Sequence, residues 1–164
     1  MSITLFAGSG GKDMSKAEEW ANALGEEIKA NRHAVREDER MVAMQRDIVA
    51  EKMPLKWDEV CASFQRHCTA YNEQVHPERK LVFALLGKHQ FMIRPDALGE
   101  IVIGQYYPQT KAITIQTPVG TEWFKPKVMV EGSGSVELVS STTQSETDPD
   151  SIAQAAIREG LVRK

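Results

Sequence analysis

The feature that most constrains the fold is a change in the spacing of apolar residues near Lys80. Before this point, large apolar side chains recur every three or four residues, as on one face of an amphipathic helix. After it comes the segment 81–86, which is apolar throughout, as in a central strand. In the segments that follow, apolar residues alternate with polar ones at every second position, as in a β-strand with one buried face. The connections between the later segments are short, which favours antiparallel neighbours over crossovers. The sequence therefore predicts an α+β fold, with N-terminal helices, an antiparallel meander and a C-terminal helix packed with the sheet.

Three helices are predicted before the sheet, over residues 15–31, 34–53 and 56–75. Ser15 and Glu18 fit a capping box at the start of the first helix. Pro54 is expected to end or kink the second, because its ring removes a donor and clashes with the preceding turn. The third has the most regular apolar stripe, made of Trp57, Val60, Cys61, Phe64, Cys68, Tyr71 and Val75.

Six strands are predicted between residues 80 and 140. Pro126 falls within the fifth of them, and this is expected to place at least the first half of that strand at a sheet edge or a bulge. A polar stretch over 140–147 follows. Asp148 and Pro149 then suit an N-cap and a first helical position, so the last helix is predicted over 149–162.

The 164 residues suffice for one ordinary domain. Residues 1–12 end in a glycine-rich stretch and are interpreted as a flexible tail, which leaves 13–164 as a single domain. The same stretch superficially suggests a phosphate-binding loop. Phe6 stands where that motif needs glycine, and Asp13 stands where it needs serine or threonine, so no nucleotide site is expected.

Charge and hydropathy exclude several classes of protein. The net charge is −3, and the two signs are interspersed, which argues against nucleic-acid binding. No apolar run approaches the roughly 18 residues that a membrane helix needs, so no membrane association is expected. The N-terminus also lacks the basic lead and long apolar core of a signal peptide. A cytoplasmic location is therefore predicted.

Metal and cofactor chemistry has little support in the sequence. Cys61 and Cys68 are seven residues apart, about 10 Å along a helix, which is too far for a disulfide. This spacing also differs from the close cysteine pairs of zinc sites, so reduced core thiols are expected, with no metal and no cofactor. No nucleophile elbow occurs. Catalysis would need a spatially assembled site, and its candidate parts are Asp58, His67, His76 and His89.

Two groups of apolar side chains are candidate binding surfaces. Trp20, Leu24 and Ile28 form a narrow stripe on the first helix, which can pack on its own domain, on a second copy or in a partner's groove. The specific hypothesis is a homodimer built through residues 15–53.

The other group consists of two aromatic pairs, Tyr106-Tyr107 at the end of the third predicted strand and Trp123-Phe124 at the start of the fifth. Consecutive strand residues face opposite sides, so one ring of each pair is expected in the core and the other on the outer face. The outward rings can then form a binding patch, unless a helix or loop covers them.

The sequence leaves three functional classes open. The first is a non-catalytic interaction or adaptor protein that binds another protein, or itself, through a sheet edge or the N-terminal helix. The second is a small-ligand or lipid-binding module with a cavity between helix and sheet. The third is an enzyme with a spatially assembled site. The first is preferred because the other two lack their usual sequence marks.

Overall fold

A computed structural model describes residues 15–95, 101–129 and 134–162 of the chain. The predicted flexible tail over 1–12 lies outside these ranges. The elements in chain order are α1 (Lys16–Gln74), a 3-10 turn (Pro77–Arg79), β1 (Leu81–Leu85), β2 (Gln90–Pro95), β3 (Val102–Tyr107), β4 (Ala112–Thr117), β5 (Gly120–Val128), β6 (Val136–Ser140), β7 (Glu146–Thr147) and α2 (Pro149–Val162). The chain divides into two compact units, residues 1–44 and 45–164, which are described separately below.

The prediction of three separate N-terminal helices is wrong, because α1 is continuous from Lys16 to Gln74. Neither Arg32 nor His33 breaks a helix, so the weak apolar pattern between 31 and 34 does not interrupt it. Pro54 lies inside the helix. Met53 and Trp57 on either side of it are buried, and their packing offsets the local cost of the proline ring.

Both predicted N-caps are present. The Ser15 hydroxyl accepts a hydrogen bond from the Glu18 backbone N–H at 3.2 Å, and the Glu18 carboxylate accepts one from the Ser15 N–H at 3.0 Å. At α2, the Asp148 carboxylate accepts from the Ser151 N–H at 2.7 Å, with Pro149 as the first helical residue. Both helix starts are therefore confirmed.

The sheet is an antiparallel meander in which each strand pairs with the next along the chain. It has seven strands, where six were predicted. The missed strand, β7, is two residues long and pairs Thr147 with Leu138 of β6. It lies in the polar stretch after Ser140, where no apolar alternation marks a strand.

Pro126 does not place β5 at an edge, so that expectation is corrected. β5 lies between β4 and β6, and Pro126 pairs with Leu138. The Ser141 N–H donates to the Trp123 carbonyl, which shows that the odd-numbered residues of β5 bond to β6. The nitrogen of Pro126 therefore points to the β4 side, beyond the last β4–β5 pair at Phe124. The missing donor costs no ladder hydrogen bond.

One face of the sheet, the inner face, carries the core. Phe91, Ile93, Val102, Ile113 and Leu138 point to it and are buried. Within the unit 45–164, the C-terminal part of α1 packs on this face. The Trp57 ring lies 5.6 Å from Phe91 and 6.0 Å from Tyr106, and the Phe64 ring lies 4.6 Å from Phe91.

The second helix, α2, packs on the same face. Ile152, Ala153, Ala156 and Ile157 are buried, and Gly160 approaches Ile101 so closely that an added Cβ would lie 3.0 Å from the Ile101 Cβ. The molecule is thus α+β, with helices against one side of the sheet, as predicted. Among the residues that the structure describes, no helix combines the length and apolarity needed to cross a bilayer.

Candidate functional site

The first candidate surface lies on α1 within the unit 1–44. Five large apolar side chains here are exposed and share one side of the helix: Trp20, Leu24, Ile28, Val35 and Val42. At about 100° per residue they fall within an arc of about 80°. Trp20 is 67% exposed, Val35 54% and Val42 52%. We call these five residues the N-terminal stripe.

Charge is distributed unevenly along the same part of α1. Glu18, Glu19, Glu26 and Glu27 make the start acidic, and Lys29, Arg32 and Arg36 follow as a basic group. Two polar residues, Asn31 and Asp38, fall within the arc of the stripe. Any partner must therefore bury apolar side chains and also meet a defined order of charges along the helix.

The second candidate surface is on the outer face of the sheet. Tyr106 and Phe124 are buried on the inner face, whereas Tyr107 and Trp123 point outward. The outward rings stack on each other, with centroids 5.5 Å apart and planes 23° from parallel. They lie over Ala112 and Thr114 of β4, and Trp123 remains 43% exposed. Their proposed role in binding stays a prediction.

The third candidate is a groove of about 640 Å³ between α2 and the inner face near β4–β7. Ile115 and Phe124 form its floor, and Ile152 and Ala156 form the helix side. Eight serine and threonine residues and three glutamates border the rest. We call this the α2 groove.

Glu122 is the most unusual residue of the α2 groove. It pairs with Ile115 and lies two residues before Phe124 in β5, so its carboxylate points to the apolar inner face. The Ser140 hydroxyl donates a hydrogen bond to one of its oxygens. At the helix side, the Thr117 hydroxyl donates to the Glu159 carboxylate at 2.9 Å, which joins the end of β4 to α2.

The outer edge of β1 is partly filled by a side chain of α1. The Asn72 amide donates to the Leu81 carbonyl at 2.8 Å and accepts from the Leu81 N–H at 2.7 Å. These are the two bonds that a neighbouring strand would make to this residue. Asn72 therefore blocks one end of the edge at which a partner strand would add.

Ser63, His67 and Asp150 form a cluster that resembles a catalytic triad only in composition. The Ser63 hydroxyl donates to the Asp150 carboxylate, and Ser63 is fully buried. The His67 Nδ1 lies 2.7 Å from the Ser63 carbonyl and therefore carries the proton as a donor. That leaves Nδ1 unable to take a proton from Ser63, so the cluster lacks the arrangement of a nucleophile and its base.

The same cluster joins the two helices. The Arg66 guanidinium donates to the Asp150 carboxylate at 3.0 Å, and the Gln154 amide lies 3.2 Å from His67 Nε2. The hydrogen bond from Ser63 is the main cause that lowers the pKa of Asp150 below its usual value, and the Arg66 charge adds to it. The arrangement fixes α2 against α1 and supplies no reactive group.

The other candidate catalytic residues are dispersed. Asp58 is exposed on α1, and His76 caps the 3-10 turn by accepting from the Glu78 N–H at 3.5 Å. His89 follows β1 and meets the Tyr106 ring edge-on, with centroids 5.6 Å apart. His76 and His89 thus have structural contacts of their own.

Both cysteines are free, as expected for reduced thiols. Burial raises the pKa of Cys61 to about 12, and the nearby Asp58 carboxylate contributes to this shift. Burial also raises the pKa of Cys68 to about 11. At neutral pH both are therefore protonated and poor nucleophiles. Within the described ranges, no three His, Cys, Asp or Glu side chains lie close enough together to hold a metal ion.

Sequence reasoning named a cavity between helix and sheet as one alternative, but it missed Glu122 and the location of the α2 groove. The residue lies in β5 between Thr121 and Trp123, where a charged residue ordinarily indicates a solvent-facing position. The alternation of β5 contained the signal, since one of Trp123 and Phe124 was expected in the core and Glu122 shares the face of Phe124. Comparisons with protein-family models, with curated proteins and with solved structures find no significant match to this chain.

Proposed function

We propose that the protein is a non-catalytic interaction protein that associates with a second copy of itself through residues 15–53. The observation that carries this proposal is the exposure of the N-terminal stripe. Large apolar side chains that share one side of a helix mark an association surface far more often than scattered ones do. A solvated helix also gains most of its stability from packing, so a partner would stabilise this part of α1.

The size of the stripe matches what dimerisation requires. Burying a large apolar side chain from full exposure stabilises by about 1.5–3 kcal/mol. The stripe side chains of the two copies are about half exposed, so together they contribute roughly 7–15 kcal/mol. Association costs on the order of 4–15 kcal/mol in lost freedom of motion. The two ranges overlap, which means that a stable dimer needs most of the stripe to be buried.

The order of charges favours an antiparallel dimer. A parallel pair would place Asp38 beside Asp38 of the second copy and bring the acidic starts of both helices together. An antiparallel pair that overlaps at about residue 31 places the two Asp38 side chains and the two acidic starts far apart. It also sets Trp20 opposite Val42. The antiparallel pair thus avoids the like-charge contacts of the parallel pair.

The stripe is a better contact surface than the edge of β1. Asn72 already makes the two hydrogen bonds of Leu81 that a partner strand would need. Tyr107 and Trp123 offer a second apolar contact, which a different protein would use. This contact is smaller than the stripe, because each of the two stacked rings already covers part of the other.

Light scattering at high protein concentration tests the proposal. The wild-type chain is expected at twice its monomer mass of 18.3 kDa. The double variant Leu24→Asp, Ile28→Asp should scatter as a monomer, because two carboxylates would be buried in the interface. The matched control is Asn22→Asp, His33→Asp, which adds the same charge on the opposite side of the helix and should remain dimeric. A wild-type mass of 18.3 kDa at high concentration would refute the proposal.

Cysteine cross-linking tests the orientation. Chains carrying Trp20→Cys are mixed with chains carrying Val42→Cys and oxidised. An antiparallel dimer brings residue 20 of one copy to residue 42 of the other, so the mixed disulfide should dominate. A parallel dimer would give only the two symmetric products. Cys61 and Cys68 interfere little, because burial keeps both thiols protonated.

A further inference from the structure

We propose that the α2 groove binds a small organic cation, namely a protonated amine attached to an apolar body. The site is separate from the N-terminal stripe and does not depend on self-association. All residues that line it lie within the described part of the unit 45–164. Its volume of about 640 Å³ falls within the range of roughly 300–1,000 Å³ that is usual for small-molecule sites.

The sign of the ligand's charge follows from the lining. Glu122 and Glu159 contribute carboxylates, Glu146 borders the groove as well, and among the lining residues there is no Lys, Arg or His. Lys127 is bound to Glu146 at 2.8 Å, and both side chains lie on the outer face of the sheet. Glu122 and Glu159 accept hydrogen bonds only from the neutral hydroxyls of Ser140 and Thr117 among the described residues. An anionic ligand would be repelled, whereas a cation would meet two carboxylates that bind no cationic side chain of the described residues.

Glu122 is the residue to which the ammonium group would bind. A carboxylate has about four acceptor positions, and Ser140 occupies one of them. Glu122 is half-buried beside Ile115 and Phe124, so its remaining acceptor positions are open to the groove. An ammonium group offers three donors and a full positive charge, so its hydrogen bonds to Glu122 would be charge-assisted.

The apolar part of the ligand would contact the floor and the helix side. Ile115 and Phe124 provide the floor, and Ile152 and Ala156 of α2 lie across from them. The threonine and serine hydroxyls around the groove both donate and accept hydrogen bonds, so they suit many polar substituents. The carboxylates would thus determine which ligand charge is preferred. The floor and the helix side would bind the apolar part of the ligand.

Calorimetric titration of the full chain with three matched compounds tests this assignment. Phenethylammonium, 2-phenylethanol and phenylacetate share one apolar body and differ in charge. Phenethylammonium is expected to bind at least about tenfold more tightly than the alcohol, and phenylacetate should not bind measurably. Equal binding of the amine and the alcohol, or no binding of the amine, would overturn the proposal.

Two variants locate the charge preference. Glu122→Gln keeps an acceptor for the Ser140 hydroxyl but removes the charge, so the preference for the amine over the alcohol should fall to nearly one. The matched control is Glu137→Gln, in β6 on the outer face, which should leave the preference unchanged. Thermal unfolding of both variants confirms that they are folded. An amine preference that survives in Glu122→Gln would show that this carboxylate is not the anchor.

Backbone amide shifts in the NMR spectrum of the labelled chain give a readout that does not depend on affinity. Addition of phenethylammonium should shift signals in 115–124 and 151–159, where the lining residues lie. Shifts confined to residues 20–42 would instead place the amine on the N-terminal stripe. This result would contradict the α2 groove as its site while leaving the proposed dimer untouched.

Discussion

The two parts of α1 on either side of residue 44 are continuous in secondary structure and differ in what surrounds their apolar side chains. In the part before residue 44, the five residues of the N-terminal stripe are exposed. In the part after it, Met53, Trp57, Val60, Phe64 and Cys68 are buried against the sheet. Both sets recur at helical spacing, so the repeat alone does not show which set has a partner within the chain.

The difference lies in what each set meets. The buried set contains Trp57 and Phe64, whose rings pack on Phe91 of the inner face. The exposed set has a single aromatic ring, that of Trp20, and is interrupted by the polar residues Asn31 and Asp38. A stripe of this kind buries too little to hold a helix by itself and needs a second surface to cover it. The comparison therefore separates residues that maintain the fold from residues available for association.

Phe64→Ala should give the largest effect. The ring is fully buried, so its loss should lower the free energy of unfolding by about 3–5 kcal/mol, as measured by urea denaturation. Gln65→Ala is the control, since this neighbouring side chain is exposed. Trp20→Ala, measured at low protein concentration, should change the unfolding free energy by less than about 0.5 kcal/mol. A loss at Trp20 as large as the loss at Phe64 would break the comparison.

The same substitution at two glycines should have opposite signs. An added Cβ at Gly104 would lie 2.2 Å from the Phe91 ring, so Gly104→Ala should destabilise by about 1–3 kcal/mol. At Gly25, in the exposed part of α1, nothing lies within 4 Å of such a Cβ. Gly25→Ala should therefore stabilise the helix by about 0.5–1 kcal/mol. Thermal unfolding followed by circular dichroism measures both, and destabilisation by Gly25→Ala would indicate a close neighbour of this side of α1.

Tyr106→Phe should have a smaller effect, and a favourable one. Within the described part of the chain, the Tyr106 hydroxyl is buried without a hydrogen-bond partner. Its removal should leave the ring stacked on Trp57 and stabilise the chain by up to about 1 kcal/mol. Tyr107→Phe, whose ring is on the outer face, is the control and should be neutral. Destabilisation by Tyr106→Phe would mean that the hydroxyl has a partner, such as an ordered water.

Local patterns in the sequence were sufficient for the elements of the fold. The change of repeat at Lys80, the capping box at Ser15 and the Asp148-Pro149 start of α2 each depend on neighbouring residues. The errors at Pro54 and Pro126 arose where distant packing decides. The sequence alone does not reveal that the packing of Met53 and Trp57 keeps α1 helical on both sides of Pro54. Nor does it reveal that the Pro126 nitrogen lies beyond the last residue pair between β4 and β5.

The candidate surfaces were predictable to different degrees. The N-terminal stripe and the outward rings of Tyr107 and Trp123 follow from spacing and alternation within single elements. The α2 groove does not, because it brings together β4, β5, the β6–β7 turn and α2. Glu122 becomes notable only when its neighbours Ile115 and Phe124 are known to form a buried floor.

Asp150→Asn should give the smallest effect, and one that depends on pH. The carboxylate joins α2 to the buried part of α1 through Ser63 and Arg66, and its pKa is below the usual value in the folded chain. Such a group stabilises the fold fully at pH values above its unfolded pKa of about 3.9. Its contribution is lost as the pH falls through the lower native value. Because Asp150 and Arg66 are exposed, solvent screens this contribution.

Urea midpoints of wild type and Asp150→Asn should therefore differ slightly at neutral pH and converge below about pH 4. Asp47→Asn, an exposed change elsewhere on α1, is the control and should give no such convergence. A difference in urea midpoint between wild type and Asp150→Asn that grows toward acid would mean that the carboxylate is protonated more readily in the folded chain than in the unfolded one. The link between the helices would then depend less on Arg66 than the geometry indicates.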